Sequence, residues 1–166
     1  MSNKRNFLKL FSTSLLGFLI YPISSMANNL TGFNIKLKKD ESEYNIINPD
    51  LTDEQKKIMF EEATERAGTS KLNKEKRKGS YHCANCGVKL FESSAKFDSG
   101  TGWPSFTEAI PGAFKTKVDY SFGMKRTEYH CANCGAHHGH VFFDGPTATG
   151  KRYCSNGLCL LFVPET

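Results

Sequence analysis

Apolar residues fall into three regimes along the chain. Leu10 to Ile20 form a mainly apolar run, with Tyr21, Pro22 and Ile23 behind it. Residues 28–50 are polar with scattered apolar positions and read as an extended lead-in. Thr52-Asp53-Glu54-Gln55 then has the form of a capping box, with Thr52 as N-cap and Gln55 at the third helical position. Met59, Ala63 and Ala67 recur at four-residue spacing and Gly68 can end a helix, so the pattern predicts one helix over Leu51 to Ala67. From Gly79 onward the apolar runs are short: Val88 to Phe91, Lys117 to Tyr120, Arg126 to Tyr129, His140 to Phe143 and Leu160 to Val163. Gly, Pro, Asn and Asp separate them, which predicts a mainly antiparallel β domain over residues 51–166. The absence of a second long helical pattern argues against a parallel βαβ sheet.

The first run changes its meaning with its flanks. Lys4, Arg5 and Lys9 precede it, and Ser25-Met26-Ala27 follows as a small-x-small cleavage site. This is the layout of a secretory signal peptide over residues 1–27. Asn3 to Lys9 also resembles a twin-arginine export signal, with Lys4 in place of the first Arg. The expected address is outside the cytoplasm, in the periplasm. The alternative is an uncleaved anchor, against which the run falls short of the ~20 residues of a bilayer span. After cleavage no stable membrane insertion is expected. The leader holds three of the 22 basic residues and no acid, so 19 basic face 17 acidic in the remainder. That balance gives no case for nucleic acid as a partner.

Tyr81-His82-Cys83-Ala84-Asn85-Cys86-Gly87 recurs letter for letter as Tyr129-His130-Cys131-Ala132-Asn133-Cys134-Gly135. Each Cys-x-x-Cys turn aims two thiolates at one centre, and the following Gly suits the positive φ of such a turn. Two facing knuckles supply the four sulfurs of a closed tetrahedral zinc site, so Cys83, Cys86, Cys131 and Cys134 are expected to hold one structural Zn2+. Paired disulfides in an oxidising compartment, or a redox Cys-x-x-Cys, are the competing readings. His82 and His130 are expected outside the ligand set, because four cysteines already fill it.

Cys154 and Cys159 remain. On a strand, Arg152, Cys154 and Asn156 share one face, and a cation beside a thiol favours its thiolate. Taken alone, Cys154 reads better as a small buried hydrophobe than as a reactive thiol. His137 and His140, just after the second knuckle, offer proton donors or acceptors near it. Trp103 sits between Gly102 and Pro104, where a loop could offer its ring to a ligand; by itself it would more often be core. Asp144 could orient a histidine or pair with Arg152; its plain reading is a turn residue before Gly145.

The series Lys96 to Phe106, Arg126-Thr127-Glu128, Cys134-Gly135-Ala136-His137, Gly139-His140-Val141-Phe142 and Arg152-Tyr153-Cys154-x-Asn156 resembles the B-type peptide-methionine (R)-S-oxide reductases. The resemblance runs from about Leu51 to Phe162. It implies a fold of two antiparallel sheets forming an open barrel with helices to one side. It implies thiol-dependent reduction of the R epimer of methionine sulfoxide in proteins or peptides. By it, Cys154 attacks sulfur and becomes a sulfenic acid, and Trp103 packs on the substrate methyl. By it also, His137, His140 and Asn156 bind or protonate the oxygen, and Asp144 and Arg152 support that network. An external thiol reductant, thioredoxin-like or small, would restore Cys154. Three positions depart from the pattern. His138 stands where an apolar residue is usual, Thr101 where many members carry a resolving cysteine, and Cys159 is additional.

Two other classes compete: a zinc-ribbon binding module, which leaves Cys154 unexplained, and a thiol–disulfide oxidoreductase. Cys159 lies five residues beyond Cys154, an odd spacing that sends the two side chains to opposite faces of a regular strand. No efficient internal resolver is therefore expected.

Overall fold

A computed structural model describes residues 45–166. The signal-peptide reading and most of the lead-in lie outside the described residues. The last part of the lead-in is tied to the first knuckle: Asn85 Oδ1 accepts N–H groups of Ile47 (2.8 Å) and Asn48 (3.2 Å), and its Nδ2 donates to Asn45 O at 2.8 Å.

The helix α1 spans Asp53–Glu61 and starts as expected, with both bonds of the Thr52–Gln55 capping box made. It buries Ile58 and Met59. Its end differs from the expectation. The chain turns out of the helix at Glu62, in the left-handed region at φ 57°, so residues up to Ala67 are not helical. Beyond Glu61 no large apolar residue recurs on the helix face, and the one buried residue before Gly68 is Glu65, whose polar groups are claimed by distant backbone and side chains.

Nine strands follow among the described residues: β1 (Gly79–Cys83), β2 (Lys89–Glu92), β3 (Lys96–Phe97), β4 (Ser105–Phe106), β5 (Phe114–Asp119), β6 (Arg126–Cys131), β7 (His137–Phe142), β8 (Arg152–Ser155) and β9 (Leu160–Pro164). All pairings are antiparallel. They build two sheets, ordered β2-β1-β9 and β3-β4-β8-β7-β6-β5, and no ladder closes them into one barrel. The shortest strands, β3 and β4, carry too few residues to show an alternation and were not expected. Among the described residues no helix is long and apolar enough to cross a membrane.

The sequence repeat is also a structural repeat. The first knuckle is the turn of the β1–β2 hairpin and the second is the turn of the β6–β7 hairpin. Both hairpins shift register between the Tyr and His of the repeat. In both, the closing Gly donates to the first Cys carbonyl, Gly87 to Cys83 at 2.8 Å and Gly135 to Cys131 at 2.9 Å. The two hairpins belong to different sheets.

Tyr81 and Tyr129, the first residues of the repeats, are fully buried. They sit in an aromatic core where Phe91 stacks on Phe106 (centroids 4.0 Å apart), Tyr81 meets Phe106 edge-on at 4.9 Å and Phe114 meets Tyr129 at 4.6 Å. His138 enters the same core, against Phe114 and Tyr129. Neither ring nitrogen has a partner, and burial holds its pKa down to about 3, so the ring is neutral at neutral pH. Its folded-state pKa lies below the ordinary 6.5, so the unfolded chain takes up the proton first. Stability is lost as pH falls from 6.5 toward 3. His138→Leu should flatten this acid limb, recovering roughly 3–5 kcal/mol at its foot. Denaturant unfolding at several pH values checks this; parallel pH curves for the two proteins would refute it.

Candidate active site

Cys154 occupies the central strand β8, opposite Ser105 of β4 on one side and His140 of β7 on the other. The strands can close this tightly because Gly139 has no side chain: a Cβ there would lie 1.9 Å from the Cys154 carbonyl oxygen. A cavity of about 190 Å³ opens over the thiol, lined by Thr64, Trp103, Arg126, Gly139, His140, Phe142, Cys154, Ser155 and Asn156. That volume suits a side chain rather than a folded partner. Trp103 is half-buried and its indole N–H donates to the Glu65 carbonyl at 2.8 Å.

His137 and His140 are each held by a carboxylate. His137 Nδ1 lies 2.6 Å from Glu128 Oε1, and its Nε2 is 3.4 Å from Asn156 Nδ2. An Nδ1–H tautomer satisfies both contacts, donating to Glu128 and accepting from Asn156. His140 Nε2 lies 2.8 Å from Asp119 Oδ2. Asp119 is held well below the usual carboxylate range by hydrogen bonds from Ser121 first, then from His140 and Arg126. Burial pushes Glu128 up, but the hydrogen bonds of His137 and Lys117 outweigh it and hold the carboxyl down. Burial lowers His140 against the pull of Asp119, so its neutral form is favoured.

Glu128, His130 and His137 also lie close enough together to suggest a metal triad. The 2.6 Å between Glu128 Oε1 and His137 Nδ1 is a hydrogen-bond length. Two ligands of one tetrahedral ion at ~2.1 Å would stand farther apart. Lys117 Nζ also faces the same carboxylate at 3.2 Å.

The four knuckle cysteines converge on one centre, their sulfurs all within 4.8 Å of one another. Cys83 and Cys134 sulfurs are 3.7 Å apart, and those of Cys86 and Cys131 3.6 Å. A tetrahedron with metal–sulfur bonds of ~2.3 Å has sulfur–sulfur edges of about 3.8 Å. The donor set therefore fits a zinc-sized ion with no open position. Without a cation the crowded thiols cannot ionise together: Cys134 is driven down by bonds from Cys131 and Cys83, which are themselves pushed up, Cys131 to about 11. His82 stays outside the set, bonded to Gly87 O at 2.8 Å and Ser80 Oγ at 2.9 Å.

The SelR domain family matches residues 51–164. The chain belongs to the SelR family. Relatives of this SelR chain are named peptide methionine sulfoxide reductase MsrB. That of Variovorax paradoxus is 62% identical over 101 residues, covering 60% of this chain and 74% of that protein. That of Thiobacillus denitrificans is 51% identical over 117 residues, covering 70% and 89%. That of Pseudomonas putida is 52% identical over 116 residues, covering 69% and 87%.

In this SelR chain Cys154, His140, Trp103 and Asn156 meet at one cavity. His137 does not line it and stands behind Asn156, facing an adjoining cavity of about 400 Å³. Asp144 and Arg152 also stand outside the lining. Asp144 resolves its two readings by taking Arg152 in a two-pronged pair, Nε to Oδ1 at 2.7 Å and Nη2 to Oδ2 at 2.9 Å, with the guanidinium over the Phe142 ring. Arg152 acts on the Cys154 thiol in the expected direction, favouring the thiolate, but burial outweighs it. Burial raises the Cys154 pKa by more than Arg152 and Thr101 lower it. Arg152 shares its charge with Asp144, which weakens its pull. Glu65, Asp119 and Glu128 are site residues that the sequence reading missed. Asp119 and Glu128 sit among alternating charges, Lys117-x-Asp119 and Arg126-x-Glu128-x-His130, and that alternation was the available signal.

Proposed function

We propose that this chain reduces the R epimer of methionine sulfoxide in proteins or peptides, with Cys154 as nucleophile and one structural Zn2+ in the knuckle site. The observation carrying this reading is the pairing of Cys154 with His140 under one side-chain-sized cavity that Trp103 also lines. The names of the relatives supply the substrate class. The Cys154 sulfur attacks the sulfoxide sulfur to form a transient S–S bond while the oxygen takes up the thiol proton, and the S–S and substrate S–O bonds then break as the oxygen passes to the Cys154 sulfur. The oxygen ends on Cys154 as a sulfenic acid, and methionine leaves with its lone pair restored. The raised pKa of the free thiol calls for a base or a bound substrate to bring out the thiolate. His140, oriented by Asp119, is the adjacent group able to move that proton. Asn156 lines the cavity beside the position of the oxygen, where negative charge builds up in the transition state, and His137 backs its amide from outside the lining. Trp103 supplies an apolar face for the substrate methyl. Arg152 and Asp144 support the strand from outside the cavity.

Two external thiols then restore the enzyme, the first forming a mixed disulfide with release of water, the second displacing Cys154. Cys159 is fully buried in the core and its thiol is held protonated by burial, so it does not serve as the internal resolver. The leader sequence motivates the further proposal that this chemistry takes place outside the cytoplasm, and N-terminal sequencing of protein from the native host tests that.

A peptide carrying separated sulfoxide epimers decides the activity. The R form should be consumed in the presence of a thiol and the S form left intact. Mass spectrometry after one turnover without thiol should find Cys154 oxidised and Cys159 free. Equal loss of both epimers would refute the stereochemical reading, and a Cys154–Cys159 disulfide would refute the external route.

A further inference from the structure

We propose that Glu65 is a positioning residue that fixes two parts of the Cys154 cavity, the indole of Trp103 and the amide of Asn156, and thereby sets substrate recognition. The role assigned to the cavity rests on the functional reading above. Glu65 lies just beyond α1, in a segment without regular structure, and it is only 5% exposed while its sequence neighbours Thr64 and Arg66 are exposed. Three different groups of this one residue tie the Trp103 loop to the segment from Asn156 to Leu158. Its carbonyl accepts the Trp103 indole N–H at 2.8 Å. Its backbone N–H donates to Asn156 Oδ1 at 2.9 Å. Its carboxylate accepts the N–H groups of Gly157 at 2.6 Å and Leu158 at 3.3 Å, and the Thr69 hydroxyl at 3.4 Å.

The division of labour matters. The contacts that grip the site are made by the backbone, so any residue could make them if the segment stayed in place. The side chain is what keeps it there, by docking on the turn that begins at Gly157. That dock is built for close approach. A Cβ on Gly157 would lie 1.8 Å from Ser70 Oγ and 3.3 Å from Glu65 Oε2, so the turn has no room for a side chain. The other groups of Asn156 are turned to the His138 carbonyl (2.8 Å from its N, 3.1 Å from its Nδ2), to His137 Nε2 (3.4 Å from its Nδ2) and to the Cys159 N–H (3.1 Å from its carbonyl), which leaves Glu65 as its link to the Trp103 side. A residue that tethers the methyl-facing indole and the amide together controls the width of the cavity without touching its contents.

Trp103 is the only tryptophan of the chain, so intrinsic emission reports on the proposed tether directly. The experiment compares Glu65→Ala, Glu65→Asp, Glu65→Gln and a control in the other sheet, Phe162→Ala. In Glu65→Ala, Trp103 emission should shift and become more open to acrylamide quenching. kcat/KM on the R-sulfoxide peptide should fall roughly 10²-fold, mainly through KM, as expected for a misplaced binding group. Glu65→Gln keeps an amide oxygen able to accept the same N–H bonds and should restore most of the emission and KM. Phe162→Ala should lower Tm while leaving emission and KM as in wild type. If Glu65→Ala does not fold, Glu65→Asp carries the test, its shorter reach giving the same emission shift. Wild-type emission and KM in Glu65→Ala, or in Glu65→Asp where Glu65→Ala does not fold, would overturn the proposal. So would the same emission and KM changes in Phe162→Ala, or a Glu65→Gln no better than Glu65→Ala. Absence of R-sulfoxide turnover in the wild type would instead refute the functional reading, while the emission comparison would still decide the tether.

Discussion

Cys154→Ser is expected to lose turnover of the R-sulfoxide on the order of 10⁴-fold or more, down to the uncatalysed background, while the protein keeps its fold. Oxygen and sulfur differ little in size, and the ladder contacts of β8 with β4 and β7 use the Cys154 backbone rather than its side chain. A hydroxyl at this position is neither ionised nor soft enough to attack sulfur, and no other free thiol reaches the cavity. Substrate binding should survive, because Trp103 and His140 are untouched. Steady-state assays with a thiol regenerant measure the loss, and equilibrium binding of the sulfoxide peptide to the Ser variant measures what remains. Full activity in Cys154→Ser would sink the mechanism. Loss of binding together with turnover would mean instead that the thiol holds the cavity open.

Cys86→Ser is expected to release the metal and remove stability comparable to the whole 5–15 kcal/mol of a typical domain. The reason lies in where the knuckles sit. Each is the tip of a hairpin in a different sheet, so an ion on all four sulfurs fastens the sheets together. With one ligand gone, three crowded and half-desolvated thiols remain, which favours neither ion nor apo form. β7 starts at His137, directly after the second knuckle, so the histidines should lose their alignment with the metal. Elemental analysis of protein prepared with reductant, and thermal unfolding with and without chelator, check this. Wild-type protein lacking any bound metal under those conditions would contradict it.

The parts of this architecture that the sequence made legible are those governed by short-range rules. Thr52 to Gln55 marked the helix start because a capping box is local, and the repeated knuckles marked the sulfur cluster because ligand spacing is local. Alternation and turn residues marked β2, β5, β6, β7 and β9 within a few residues. The helix end was misplaced because Met59-x-x-x-Ala63-x-x-x-Ala67 keeps the helical spacing while the energy in that segment comes from Glu65 docking on Gly157, 92 residues away in sequence. The carboxylate partners of the histidines were missed for the same reason. Glu128 meets His137 and Asp119 meets His140 only once the register of β5, β6 and β7 is fixed. The low thiolate tendency of Cys154 was missed because a neighbouring Arg is visible in sequence and burial is not.

The position of β8 also decides which contacts of its sheet are long-range. β3 pairs with β4, and β5, β6, β7 and β8 follow one another as a meander of sequence neighbours, so both pieces rest on local contacts, the kind that form early. The two pieces meet in one ladder, that of β4 with β8, where Ser105 lies opposite Cys154 far along the chain. The pairing expected to close last is therefore the one at the thiol. A chain caught before that step should hold Cys154 beside His140 without the Trp103 loop over them.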